Sequence, residues 1–424
     1  MSKTFVALSY PDFRALWLGN FISFAGTRLW AAVSVWHLWQ MTRDEAAVGL
    51  GGLFAILPIF ALALFGGLSA DRFNRKHLIF VANALMLLFS ALLTLATYAG
   101  VATPALLYAT NVGYAVGVAF EQPARQAFVI RLVPPQHLHN ALSLNMVMFQ
   151  LSMMLGPALA GPILALWGPG AAYLFNTLSF TAVLFAIWFI RTDGRVTQNQ
   201  PLTWRDALSG VGFVLRTPLI RITMLLDFLA MLFTGALALL PVLAEQVLGV
   251  DEVGYGLLAA SPAVGAVLGG VFMARAGNFR HQGLVLLGAI GVLGAATVGL
   301  GLTTSFALAA FLLATTGAAD TVSTVIRNMI RQMSTPDAMR GRMIGVNMMF
   351  YQGGPRLGEF GGGLLAGATS ITSAIFIGGL LTIALALGYA WRVPTVRHFN
   401  KFDLETAPAS LSTIPAPLGS AASD

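Results

Sequence analysis

An all-helical membrane protein is the fold class this sequence predicts, and three observations predict it. Of 424 residues, 57% are hydrophobic and only 10% carry charge, where a soluble domain carries about 25%. The mean hydropathy is +0.77. Apolar runs of about 20 residues, long enough to cross a hydrocarbon core of about 30 Å, recur along the whole chain.

The runs place twelve predicted spans at 13–38, 47–69, 77–98, 103–129, 140–165, 171–190, 218–246, 252–272, 282–301, 305–330, 343–367 and 371–391. Spans four and ten are long and carry polar residues toward their C-terminal ends. A hydrophilic break at 191–217 contains "WRDALSGVGFVLR", which reads as an amphipathic helix lying at the membrane interface. The expected organisation is a six-helix bundle over 1–190, a linker over 191–217, a second six-helix bundle over 218–395, and a polar tail over 396–424 expected to be disordered.

Basic residues set the orientation. Arg72, Arg75 and Lys76 follow span two, and Arg131 follows span four. Arg191, Arg195, Arg205 and Arg216 follow span six, Arg275 and Arg280 span eight, and Arg331, Arg340 and Arg342 span ten. The opposite loops hold little charge beyond Arg43, Asp44, Glu45, Asp251 and Glu252. The bias alternates without a miss and predicts both termini in the cytoplasm.

The halves repeat. "NMVMFQ" at 145–150 is echoed by "NMMFYQ" at 347–352, each after a basic hairpin, so Asn145 and Gln150 correspond to Asn347 and Gln352. Two parallel six-helix halves around a central path are the plan of an alternating-access carrier.

Other classes are excluded or disfavoured. The net charge of +7 comes from scattered short loops, not from one basic stripe, which argues against a nucleic-acid partner. With no cysteine there is no thiol catalysis, disulfide or cysteine-bound metal. The scattered histidines suit no metal site or embedded enzyme, and no phosphate-cradling loop is present to let ATP drive transport. No cofactor is expected. The opening "MSKTFVALSYPDFRALWLGN" runs into a hydrophobic helix with no small-residue cleavage site before it.

The segment "GGLSADRFNRKHL" at 66–78 carries a mechanism. Gly67 and Ala70 are expected to let neighbouring helices approach closely. Asp71 can accept hydrogen bonds from a helix N-terminus of the facing half. Arg72, Arg75 and Lys76 can hold carboxylates or anionic lipid, forming contacts in one state and breaking them in another. On these residues the chain resembles the major facilitator superfamily, whose loop between helices two and three has the form G-x-L-x-D-R-x-x-R-K. The equivalent loop of the second half, "GGVFMARAGNFR", keeps Arg275 and Arg280 but has lost the aspartate, so any latch is expected to be stronger in the first half.

A second match is "SMMLGPALAG" at 152–161. Gly156 and Pro157 loosen the helix, and Gly161 permits close packing. The stretch resembles the span-five motif of proton-exchanging exporters, with Ser152 and Ala160 in place of two glycines. With "LWLGNFISFAGTRLW" and "TPDAMRGRMIGV", the pattern is most similar to the drug- and siderophore-exporter branch, the enterobactin-exporter-like and macrolide-efflux-like carriers. The resemblance implies a proton-driven antiporter in a bacterial inner membrane that exports small organic molecules, drugs or siderophore-like metabolites. It would be surrounded by lipid and act as a monomer. An importer or uniporter on the same scaffold is the alternative; a channel, receptor or embedded enzyme is disfavoured.

Charges within spans identify candidate sites, because each must face protein or a wet cavity. They are Arg28, Glu121 and Arg125, Asp227, Asp320 and Arg327, and Arg356 with Glu359 in "GGPRLGEFGG". Glu121 with Arg125 and Arg356 with Glu359 are same-helix pairs. Asp227 has no base in its own helix turn and ranks first as proton carrier, followed by Glu121 and Asp320, with Glu359 also a candidate. Arg28 and Arg356 can dock a carboxylate, phenolate or phosphate, or hold an acid deprotonated until substrate arrives. Trp30, Phe149 and Tyr351, with the polar pairs Asn145/Asn347 and Gln150/Gln352, are expected around the cavity, where aromatics grip flat amphipathic molecules.

Overall fold

The computed structural model describes residues 3–195, 204–277, 280–336, 339–397 and 399, and among these there are helices and turns but no strand. A 3-10 turn, Lys3–Ser9, leads into α1 (Pro11–Thr42), α2 (Glu45–Arg72), α3 (Arg75–Tyr98) and α4 (Pro104–Val129). After a 3-10 turn, Pro135–His137, comes α5 (Leu138–Phe189), then α6 (Trp204–Arg216). The rest is α7 (Pro218–Phe233), α8 (Leu240–Val242), α9 (Glu252–Ala276), α10 (Gln282–Leu302), α11 (Phe306–Met333), α12 (Arg340–Ala368), α13 (Ile371–Arg392) and α14 (Pro394–Arg397).

Local chemistry sets the ends. Proline opens α1, α4 and α7, where its missing N–H costs no helix bond. The side chains of Asp44, Asn74, Thr103, Asp251 and Ser370 cap α2, α3, α4, α9 and α13 by accepting from backbone N–H groups of the first turn.

Among the described residues, eight stretches are long and apolar enough to cross a membrane. The helices α1, α4 and α12 are as long, but they carry the candidate charges and glycine-rich polar faces that lower their hydropathy. The 52 residues of α5, if straight, would extend about 78 Å. The helix instead breaks at Gly168 (φ 71°, ψ −178°), followed by Pro169, which separates the predicted spans five and six. The predicted span 218–246 is not one regular helix either. After α7 the chain tightens into a 3-10 turn, Thr234–Leu239, and past α8 it widens into a π turn, Leu243–Val247. Gly235 there lies against the backbone of Gly358, and Pro241 removes a backbone donor.

In packing, α1 lies on α5, α4 on α2 and α3, and α3 on α5. Similarly α10 lies on α11 and α13, α11 on α9, and α12 on α7. Two seams join these sets, α2 with α12 and α5 with α9. The sequence spacing that relates Asn145 to Asn347 also relates the starts of α4 and α11 (Pro104, Phe306) and of α5 and α12 (Leu138, Arg340).

The cores are distributed unevenly along the bundle. The end away from the basic loops has one continuous cluster drawn from both sets, including Leu29, Trp36 and Trp39 with Leu243, Tyr255 and Leu258. At the basic-loop end the clusters are separate: Phe13, Ile79, Phe128 and Ile187 come from the first set, and Leu226, Ile290 and Ile330 from the second.

The expected interfacial helix corresponds to α6, which packs on α12 and α7, and Arg342 Nη1 donates to Ser209 Oγ at 2.9 Å. At the start of the expected tail, Val396 and Phe399 are buried, and the Gly283 N–H donates to the Phe399 carbonyl, as α14 packs against α10. Residues 196–203 of the linker and 400–424 of the tail lie outside the described residues.

Candidate functional site

Between the two helix sets lies a cavity of about 1180 Å³. One wall comes from α1, α4 and α5; the other comes from α7, α9, α11 and α12 together with the turn after α7. It reaches Val129, Ile130, Leu142 and Val325 toward the basic-loop end. Toward the other end it stops at the shared cluster. There Tyr255 stacks on Trp36 (centroids 4.9 Å apart) and its hydroxyl donates to the Ala32 carbonyl at 2.7 Å.

Beyond this plug a carboxylate ties the sets together. Glu245, in the π turn, accepts from Trp39 Nε1 at 2.7 Å and Gln40 Nε2 at 3.2 Å of the last turn of α1, and from Arg43 Nη1 at 2.6 Å just past its end. Sequence reasoning missed Glu245, which ends a predicted span; a lone acid within "PVLAEQVLGV" was the available signal. The seam beside it is a backbone crossing. A Cβ on Gly256 of α9 would lie 2.5 Å from the Gly161 nitrogen of α5.

At the basic-loop end the predicted gate residues, among the described residues, bond within the first set. Arg75 donates to the carbonyls of Ala70 (3.1 Å) and Ala127 (3.2 Å), and Lys76 to that of Ile190 (2.6 Å). Arg72 lies over the neighbouring Phe73 ring. Asp71 meets Arg75 at 4.0 Å, and burial, partly offset by that guanidinium, raises its carboxyl above the ordinary value. The close approach expected at Gly67 occurs one residue earlier. Gly66 lies against the Ala119 backbone, whereas Gly67 borders open space, because successive residues on a helix face different directions.

The charged candidates separate into distinct environments. Arg28, Arg356, Glu359 and Asp320 line the cavity, as do Asn145, Phe149, Gln150 and Tyr351. Arg356 Nη1 donates to Glu359 Oε2 at 3.0 Å, and Glu359 is buried against α2 at Gly52. Arg28 lies over the Phe149 ring at 5.3 Å, and its charged neighbour is Arg356. Among the described residues no carboxylate pairs with Arg28. Glu121 is buried and accepts from Arg125 Nε at 2.7 Å, and Arg125 also stacks over Phe24 at 4.7 Å.

Asp227 sits in a setting the sequence concealed. Its own helix turn offers no base, but α11 supplies two: Arg327 Nη1 lies 2.7 Å from Oδ1 and Arg331 Nη2 3.0 Å from Oδ2. All three are buried. The expectation that ranked Asp227 first as proton carrier looked only at its own helix turn, whereas these partners come from another helix. Arg331, read from sequence as a topology residue, belongs to this site.

Three cavity candidates lie elsewhere. Trp30 packs against Tyr114 (centroids 5.3 Å apart) in its own half, Asn347 accepts from Arg331, and Gln352 donates to Gln122 Oε1 at 3.4 Å. In the span-five motif, Gly156 admits the α1 backbone at Arg28 and Leu29, Pro157 lines the cavity, and Gly161 forms the crossing with α9. No group of three or more metal-ligating side chains occurs among the described residues.

Comparison with known proteins places this geometry. Residues 2–415 match the family model described as transmembrane secretion effector. The chain is 28% identical over 386 residues to an enterobactin exporter EntS of Shigella boydii serotype 18, covering 89% of this chain and 91% of that protein. It is 27% identical over 400 residues to the enterobactin exporter EntS of Escherichia coli K12, covering 93% and 94%. Among solved structures it resembles a bacterial homologue of the human lysosomal transporter Spinster in an inward-facing, unoccupied conformation, with a TM-score of 0.68 and 17% identity over 94% of this chain and 97% of that one. A POT family transporter matches with a TM-score of 0.70 and 13% identity, over 91% and 96%.

Proposed function

The chain belongs to the transmembrane secretion effector family of the major facilitator superfamily, so it is a multi-pass membrane transporter of a small molecule and not an enzyme, and from that premise we propose that it is a proton-coupled exporter working by alternating access. The observation that carries this reading is the cavity of about 1180 Å³ with walls from two helix sets, which reaches toward the basic-loop end and stops at the cluster shared by both sets at the other. In this reading twelve spans, the two limbs of α5 among them, form six-helix halves over 1–190 and 218–395. Both termini and the basic loops face the cytoplasm of a bacterium, and a monomer acts in the inner membrane surrounded by lipid.

The cavity then faces the cytoplasm, ready to load. Substrate is a small amphipathic organic molecule, with siderophore-like compounds favoured by the relatives named enterobactin exporters. Arg28 and Arg356 dock its acidic group, Phe149 and Tyr351 its flat parts, and Asn145 and Gln150 its polar edges. Glu359 and Asp320, on the cavity wall, are the preferred proton sites. Asp227 is held between two arginines and Glu121 is paired on its own helix, which puts both behind them. Once the Glu245 contacts open on the far side, Asp71, Arg72, Arg75 and Lys76 close the cytoplasmic side.

The test is proton movement in inside-out proteoliposomes with an acidic interior, challenged from outside with siderophores, amphipathic drugs and organic acids. A substrate-dependent proton leak, lost in Glu359→Gln or Asp320→Asn but retained in Asp227→Asn, supports the assignment. Substrate uptake without proton movement refutes proton coupling. That result favours the second reading, a uniporter, to which Arg28 lends support. An anion docked there is driven out by an inside-negative potential alone, by about 2.3 kcal/mol per charge at about 100 mV.

A further inference from the structure

Asp320, Arg327, Asp227 and Arg331 form a row in which acid and base alternate. Asp320 Oδ1 lies 3.3 Å from Arg327 Nη2, Arg327 Nη1 lies 2.7 Å from Asp227 Oδ1, and Arg331 Nη2 donates to Asp227 Oδ2 at 3.0 Å. Arg331 extends the row by donating to the Thr223 carbonyl of α7 at 3.2 Å and to Asn347 Oδ1 of α12. Three helices are thus joined through one line of charge.

Only one member of the row is wet. Asp320 keeps 42% of its side-chain surface exposed and stands on the cavity wall, whereas Arg327, Asp227 and Arg331 are buried. The groups facing Asp320 are Arg327 and Thr324 on its own helix, Asp227 from α7 and Tyr351 from α12. A proton or a cavity ligand can therefore reach the row at Asp320 and nowhere deeper.

As drawn, two carboxylates balance two guanidinium groups. When Asp320 loses its charge, the buried part is left with one positive charge in excess, an arrangement that dry protein disfavours strongly. The row has the means to rearrange. Among the described residues, Arg327 Nε and Arg331 Nε are buried without an acceptor, so each guanidinium holds a donor that a new partner can take. Arg327 Nη2 is divided between Asp320 and Thr324 Oγ1 (2.7 Å), and losing the first partner frees it to turn toward Asp227.

From this geometry we infer that Arg327 is a positioning residue that transmits the charge state of Asp320 to α7 and α12. It needs no contact with substrate, because it acts through Asp227 and, by way of Arg331, through Asn347. The inference rests on the proton-coupled reading and deepens it. It assigns the accessible acid, the buried arginine that reads it and the two helices that respond.

The test needs no substrate. The chain has no cysteine, so His77→Cys and Ala276→Cys place two spin labels on exposed residues across the basic-loop end without background. Their distance distribution in lipid nanodiscs is measured by double electron–electron resonance at about pH 8 and about pH 5. Thermal unfolding checks that every variant is folded. The wild-type background is expected to shift its distribution on acidification. Asp320→Asn holds the acid-form distribution at both pH values, Asp320→Glu restores the response with a moved midpoint, and Arg327→Lys at least halves the shift. A response that survives intact in Asp320→Asn, or is absent in Asp320→Glu, overturns the row as sensor and leaves the transport reading standing. A wild-type background that does not respond overturns proton coupling itself, and the row with it.

Discussion

Replacing Glu245 with alanine removes the carboxylate that ties the last turns of α1 to the turn after α8, and its effect can be worked from the contacts. The Arg43 pair is short but exposed, at 51% and 33% of the two side chains, so solvent screening limits it to about 0.5 kcal/mol. Trp39 is only 1% exposed, and taking the acceptor from its indole N–H leaves a buried donor unsatisfied, at a cost of about 1–2 kcal/mol. The longer Gln40 bond adds about 0.5 kcal/mol. The closed arrangement of this end is therefore destabilised by about 2–3 kcal/mol, and the open population relative to it rises about 30- to 150-fold. Val101→Cys and Thr304→Cys, on exposed loops at the same end, supply a label pair whose distance distribution reports that population directly. Glu245→Gln, which keeps an acceptor for Trp39, is expected to give a smaller shift. If Glu245→Ala leaves the distribution identical to that of the parent, the outer end is held by the Trp36–Tyr255 plug alone and the latch reasoning fails.

Three further outcomes follow from the same geometry. Arg28→Gln should raise the half-saturation concentration of an anionic substrate at least about tenfold while leaving the melting temperature nearly unchanged, since no carboxylate loses a partner; transport kinetics and a thermal shift assay read the two sides. Gly256→Val should wedge the α5–α9 seam, because a Cβ there would sit 2.5 Å from the Gly161 nitrogen, and the outer label pair should report a widened distribution. Asp12, in the first turn of α1, is raised in pKa by burial, but hydrogen bonds from the Thr192 hydroxyl and N–H and the Arg191 N–H outweigh that and hold it below its ordinary value. Its contribution to stability is therefore full above the ordinary carboxylate pKa and disappears as pH falls through the lowered one. Acid titration of the unfolding midpoint should be flatter in Asp12→Asn, and the variant should be less stable than its parent at neutral pH.

The membrane character, the helical class and the transporter family were readable because they rest on composition, run length and short motifs, which a linear chain displays directly. The local pairs Glu121–Arg125 and Arg356–Glu359 were readable for a similar reason, since helix periodicity alone brings them together. Asp227 shows where such reading stops. Its partners Arg327 and Arg331 come from another helix, and their meeting depends on how α7 and α11 are rotated about their axes, which periodicity does not fix. Trp30 and Asn347 failed as cavity residues on the same account: each lies on a helix that borders the cavity but points to a neighbour instead. Glu245 was hidden differently, because its three donors come from the end of α1 and the residue that follows it, and the π turn that aims it has no sequence signature comparable to a helix cap.

The two seams have a consequence for how such a protein changes over generations. At Gly161 with Gly256, and at Gly49 with Gly363, main chain meets main chain with no side chain interposed. A contact of this kind can glide without any rotamer having to jump, as in a plain bearing. In the proposed alternating-access cycle these contacts would bear the motion while residues such as Phe149 and Tyr351 face the cargo, and Glu359 belongs to both, lining the cavity and meeting Gly52 of the α2–α12 seam. Substitutions on the walls can retune what is carried while the bearing stays untouched, and one added methyl group on the bearing impedes every cargo alike. Divergence in this architecture is therefore expected to accumulate on the walls and to spare the seams.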